Sequence, residues 1–226
     1  MSRPLLARLF EDLPRPAPLD DPEDWAPRVR QALRRFRERA EAHYTEGTLQ
    51  RLLTSPDVTA RRAAVLALGL CGTMASNRDL AGRLHDPDEE VRRMAGDALR
   101  ELWARGNNER QARRLRRLAR RAGPEQVLAE LNALITDEPD FAEAINQRAI
   151  VYFQRGEYTR AVADCRRVLE LNPYHFGAQA GMGRCFLKLR KYRAALRAFE
   201  AALGINPTLT DLTETVRALR RELGGE

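Results

Sequence analysis

Cysteine, histidine and lysine are all scarce in this chain, and each scarcity removes a class of function. Cys71, Cys165 and Cys185 fall at apolar positions in helical patterns, and no two of them form a Cys-x-x-Cys pair. They read as buried free thiols. His43, His85 and His175 are scattered, none near a cysteine at ligand spacing, so no metal and no cofactor are expected. Gly-rich phosphate loops, Gly-x-Ser-x-Gly elbows and paired-carboxylate motifs are absent as well, and the chain is not expected to be an enzyme. The longest apolar stretch, Ala63 to Cys71, is about half of what a membrane span requires. Met1 to Phe10 carries charges where a signal peptide has its apolar segment. A soluble, cytoplasmic chain with no membrane contact is expected.

Arginine is abundant instead. Lys188 and Lys191 are the only lysines among 39 basic residues, and the net charge is +7. Residues 142–226 hold 14 basic against 9 acidic residues, so the excess gathers toward the C-terminal end, and a high pI favours acidic partners.

Two internal repeats organise the rest. At an offset of 34, Tyr158 recurs as Tyr192, Ala161 as Ala195, Leu169 as Leu203, Asn172 as Asn206 and Pro173 as Pro207. At an offset of 31, Leu49 recurs as Leu80, Pro56 as Pro87, Asp57 as Asp88, Arg61 as Arg92, Arg62 as Arg93 and Leu68 as Leu99. Fixed periods of this length are the sequence signature of stacked helical hairpins. Such arrays bury an apolar stripe between neighbours and bind partners along a groove.

The 31-residue unit reads as a short helix ending in Ser-Pro-Asp or Asp-Pro-Asp, then a longer helix capped by the acid. It resembles the HEAT-like class over roughly residues 44–106. The 34-residue unit resembles the tetratricopeptide repeat. Ala149, Tyr152, Gly156, Tyr158, Ala161, Leu169 and Pro173 carry the pattern in the first copy, and Gly183, Phe186, Tyr192, Ala195, Phe199, Ala202 and Pro207 in the second. Cys165 stands where an aromatic is usual, and Arg190 where the turn glycine is usual.

The expected fold is therefore all-α, a right-handed α-solenoid of helix-turn-helix repeats, HEAT-like followed by tetratricopeptide. Residues 1–23, with five prolines, are expected as a flexible arm in which Leu5, Leu6, Leu9 and Phe10 could dock. Residues 24–106 hold a capping helix and two HEAT-like repeats, with Trp103 sealing their core. Residues 107–141 form a basic connecting helix pair, degenerate and tetratricopeptide-like. Residues 142–226 hold two tetratricopeptide units and a solvating helix. Tyr174 and His175 read as packing in the turn between copies.

The tetratricopeptide resemblance implies that the first helices line a peptide-binding groove. By position this groove presents Asn146, Gln147, Ile150, Phe153, Gln154, Arg184, Leu187 and Lys188, with Ala180 and Gly181 between them. Amides pair with a peptide backbone and arginine grips carboxylates. The implied function is a non-catalytic adaptor for a protein or peptide partner, acidic or ending in a free carboxylate. Ile150 and Gly181 stand where chaperone-tail binders of the family use asparagine, which argues against that ligand. Arg110, Arg113, Arg114, Arg116, Arg117, Arg120 and Arg121 lie on one basic helix and support an alternative, a nucleic-acid-binding scaffold acting through phosphates. No aromatics interleave with them to stack bases.

Overall fold

Some of the helices in this protein begin where the sequence supplies a hydroxyl or an acid to accept the first free N–H groups. In the computed structural model, which describes residues 4–14, 22–106, 109–118 and 124–224, Thr45 accepts from Thr48 N–H ahead of α3 (Glu46–Leu52). Asp57 accepts from Thr59 N–H at 2.9 Å ahead of α4 (Val58–Cys71). Asp88 accepts from Val91 N–H at 2.9 Å ahead of α6 (Glu89–Arg105). Among the described residues every regular element is a helix, as expected for an all-α solenoid of helical hairpins.

The chain divides into two compact units, Met1–Leu102 and Trp103–Glu226. The first contains α1 (Leu5–Glu11), α2 (Pro22–His43), α3, α4, α5 (Asn77–Gly82) and most of α6. Residues 5–11 correct the expectation of an extended arm: they form a helix packed on α4 and α2. Leu6 and Ala7 are fully buried and Leu9 nearly so, while Leu6 N–H donates to the Tyr44 hydroxyl at 3.0 Å. Pro4 lies just ahead of the first turn, where a missing N–H costs nothing, and the Leu-Leu-x-x-Leu stripe then outweighs the prolines around it. Two further prolines of the run, Pro16 and Pro18, lie outside the described residues.

The 31-residue period is visible in the bonding. Arg61 Nη1 donates to the carbonyls of Ser55 and Pro56, and Arg92 Nη1 donates to those of Asp86 and Pro87, the same positions one repeat later. Each arginine ties its helix to the turn before it. Where the first unit has Ser55, the second has a buried acid, Asp86, which accepts from Arg61 Nε at 3.0 Å, Arg61 Nη2 at 2.9 Å and Arg83 Nη1 at 3.2 Å. Burial pushes the Asp86 carboxyl up, but the bonds from Arg61 and Asp88 N–H and the charges of Arg61 and Arg83 outweigh it and hold the group below its ordinary range.

The second unit contains α7 (Glu109–Leu118), α8 (Pro124–Asp137), α9 (Ala142–Gln154), α10 (Tyr158–Leu171), α11 (Phe176–Lys188), α12 (Tyr192–Ile205) and α13 (Thr210–Gly224). Successive helices pack as neighbours, α8 on α9, α9 on α10, α10 on α11, α11 on α12 and α12 on α13. Leu115 and Leu118 of α7 join Leu131, Leu134, Phe141, Ala144 and Val151 in one apolar cluster. Trp103 belongs to this unit. It stacks on His175 with ring centroids 4.2 Å apart and leans on Phe176 at 5.0 Å.

Candidate functional site

The two tetratricopeptide-like hairpins are closed by the same turn. Gly156 N–H donates to Phe153 C=O and Glu157 N–H to Tyr152 C=O. Thirty-four residues on, Arg190 N–H donates to Leu187 C=O and Lys191 N–H to Phe186 C=O. Between α9, α10 and α11 lies a cleft of about 350 Å³. Asn146, Ala149, Ile150 and Phe153 come from α9, Cys165 from α10, and Gly177, Gly181, Arg184 and Cys185 from α11. Gly177 and Gly181 keep the α11 wall low, and Ile150 leaves 43% of its surface exposed, unusual for a residue of its kind.

Of the residues expected in the groove, Asn146, Ile150, Phe153 and Arg184 meet in this cleft, with Gly181 between them. Gln147 turns back to Glu143, donating at 2.6 Å. Leu187 packs against the apolar cluster around Phe199, to which Ala180 also belongs. Gln154 and Lys188 are exposed outside the cleft lining. Arg184 pairs with Asp211 at 3.3 Å, both side chains more than half exposed, a contact of little energy in water.

The floor holds two thiols. Burial, then the neighbouring Cys185 and Asp164, push the Cys165 thiol up to about 12, and burial takes Cys185 up to about 11. Both are therefore protonated and weakly nucleophilic at neutral pH. No group of three or more metal-ligating side chains occurs among the described residues.

A buried polar cluster beneath one end of the cleft was not legible in the sequence as a unit. His175 Nδ1 accepts from Ala178 N–H at 3.0 Å, capping α11, so its proton sits on Nε2, which donates to Glu143 Oε2 at 2.9 Å. Asn146 Nδ2 donates to the same carboxylate at 3.2 and 3.3 Å. The only sequence signal was a histidine one position before a helix, read as turn packing.

On α7, Ala112, Leu115 and Leu118 face the core, while Arg110, Arg113, Arg116 and Arg117 are exposed. Arg114 pairs with Asp137 at 2.7 Å. Arg120 and Arg121 lie outside the described residues. The α7 arginines do not line the cleft.

A model of HEAT repeats matches residues 45–141, and models of the tetratricopeptide repeat match residues 142–175 and 177–209. The chain carries HEAT repeats followed by two tetratricopeptide repeats. The HEAT match runs on through α7 and α8, a pair that belongs by its contacts to the same unit as the tetratricopeptide repeats. A TPR repeat-containing protein of Rhizobium etli is 35% identical over 95 residues, 42% of this chain and 47% of that protein. An SGT1 homolog of Bos taurus is 33% identical over 102 residues, 45% of this chain and 30% of that protein. The chain thus matches less than half the length of these curated relatives. The crystal structure of a thermophilic tetratricopeptide protein of Thermus thermophilus matches over 95% of this chain and 96% of its own length at 18% identity, with a TM-score of 0.40. Tetratricopeptide arrays serve as protein-interaction scaffolds, their hairpins stacking into extended binding surfaces. No helix among the described residues is long and apolar enough to cross a membrane.

Proposed function

We propose that this chain is a non-catalytic, cytoplasmic adaptor that holds a peptide segment of a partner protein in the cleft between α9, α10 and α11, and that the segment is acidic or ends in a free carboxylate. The observation that carries this reading is the composition of the cleft: an apolar floor and the exposed Ile150, with the Arg184 guanidinium at the rim. The floor and Ile150 offer burial to an apolar side chain. The guanidinium offers a bidentate partner to a carboxylate, and its present partner Asp211 is exposed and easily displaced.

The test is capture from host lysate on the tagged chain, split into nuclease-treated and untreated halves, with wild type beside Arg184→Glu/Lys188→Glu. A defined protein that survives nuclease and is lost from the charge-reversed variant supports the adaptor. Capture that is unchanged by charge reversal overturns the groove. Capture of nucleic acid, with proteins vanishing after nuclease, moves the function to the exposed arginines of α7.

A further inference from the structure

The buried cluster under the cleft has a chemical consequence for what the cleft recognises. A carboxylate accepts hydrogen bonds and cannot donate them, so the groups gathered on Glu143 must turn donors toward it. Asn146 and Gln147 therefore point their NH2 groups inward at Glu143, and the planar amide leaves each carbonyl oxygen facing away. Asn146 Oδ1 accepts no hydrogen bond from the described residues, and Asn146 lines the cleft. The arrangement is fixed from behind by His175, whose ring is held by Ala178 N–H on one side and by the Trp103 face on the other.

The repeat itself does not require this cluster. One period later, Glu143, Asn146, Gln147 and His175 are replaced by Gly177, Ala180, Gly181 and Leu209, and the hairpin forms with the same turn. Four polar residues brought together in one copy only, beneath the cleft, point to recognition rather than to folding.

We infer that Glu143 is a positioning residue that sets the hydrogen-bonding polarity of the cleft, turning Asn146 into an acceptor for a ligand's backbone N–H and fixing the direction of a bound peptide. This rests on the peptide reading above and deepens it. The acceptor end lies at Asn146 and the cationic end at Arg184. A peptide consequently binds with its carboxylate on Arg184, an apolar side chain over Ile150 and Phe153, and a preceding backbone N–H on Asn146 Oδ1. The negative charge behind Asn146 polarises the amide and strengthens its oxygen as an acceptor. It also repels a second carboxylate from that end.

The probes are two randomised hexapeptide libraries with free C-terminal carboxylates, one with an ordinary backbone and one N-methylated at the three peptide nitrogens nearest the C-terminus. Retention of each on the full chain is quantified by mass spectrometry. Wild type is expected to favour the ordinary library about fivefold to tenfold, the worth of one well-placed hydrogen bond. Glu143→Gln, which keeps the shape but lets the Asn146 amide turn over, is expected to remove most of that preference. Arg184→Glu is expected to lower retention of both libraries. If Glu143→Gln keeps the preference while Arg184→Glu loses capture, the inference falls and the peptide reading stands. A loss by Glu143→Gln that is equal for both libraries makes Glu143 a structural residue only and also overturns the inference. If wild type retains neither library, both readings fall. Should the Glu143 variant not fold, hydrogen exchange on the wild-type chain decides. The side-chain NH2 groups of Asn146 and Gln147 are expected to exchange more slowly than that of the exposed Gln154, and equal rates would sink the inference.

Discussion

The two tetratricopeptide repeats share a backbone plan and divide the space inside it differently. Ala149 and Cys165 in the first copy correspond to Gly183 and Phe199 in the second. In the second, the ring of Phe199 is 1% exposed, and a Cβ built on Gly183 would meet it at 2.6 Å, so the aromatic requires the glycine. In the first, the smaller thiol permits alanine and leaves open the cleft that it lines. Cys185, on the helix that follows the first hairpin, and Leu219, on the helix that follows the second, repeat the contrast: the thiol faces the cleft, whereas the leucine is buried in the cluster around Phe199. A third pair differs in kind. Arg148 grips Asp164 through two bonds of 2.8 and 2.7 Å across α9 and α10, and the second copy has Met182 and Ala198 there. One hairpin is closed by apolar volume. The other is tied by an ion pair and keeps a hollow.

The sharpest way to break this contrast is to give the second copy the first copy's thiol. Phe199→Cys removes a fully buried ring and is expected to cost about 3 kcal/mol in urea unfolding. Gly183→Ala alone overpacks the same place by about 1–3 kcal/mol. In the double variant the two changes should offset, so the cycle shows a coupling that simple addition would miss. Additive costs would mean that the glycine and the ring are not a matched pair.

The ion pair gives the next largest effect. Asp164→Ala leaves Arg148 mostly buried without its carboxylate and is expected to cost about 2–3 kcal/mol. Adding Arg148→Met, which installs the second copy's residues at both places, should recover most of that loss, because the charge that needed a partner is gone. A double variant no more stable than the single one would show that the pair does more than satisfy itself.

The thiols yield a smaller, pH-dependent difference. Both are raised in the fold, Cys165 to about 12 and Cys185 to about 11, so their contribution to stability is complete below the ordinary thiol range and is lost as pH climbs through the raised values. At pH 9 the wild type is expected to have lost about 1 kcal/mol more, relative to pH 8, than Cys165→Ala/Cys185→Ala. Parallel pH profiles would count against burial of these groups.

Fixed offsets made the hairpins legible in the sequence, because each repeat restates the same small, aromatic and proline positions. The groove was legible where a residue's task is set by its place on the first helix, as for Asn146, Ile150, Phe153 and Arg184. It was not legible where a side chain answers to a partner that the repeat pattern does not specify. Leu187 goes to the core around Phe199, Gln147 turns to Glu143, and Trp103 reaches His175, 72 positions along the chain. The helix at Leu5–Glu11 was hidden by its prolines, whose local veto was overridden by burial against α4 and α2. Periodicity reports what every copy shares, and the cluster on Glu143 exists in one copy only.

The smallest difference between the repeats is in the turn. Gly156 adopts φ 76° and Arg190, its counterpart, adopts φ 58°, the only non-glycine residue with positive φ among those described. The turn bonds are the same in both, so the backbone demands the left-handed region regardless of the side chain. A residue with a Cβ is strained there, whereas glycine is not, though glycine also loses more freedom on folding. The two terms nearly cancel and leave a modest gain for Arg190→Gly, a rise in Tm of about 1–3 °C. The arginine has a compensation in the nearby Tyr192 hydroxyl, which raises the proton affinity of the guanidinium. If thermal melts of Arg190→Gly and Arg190→Ala both fall below wild type, that contact outweighs the backbone strain. If only the alanine variant falls, strain decides, and the turn of the second copy is held in a shape that its sequence resists.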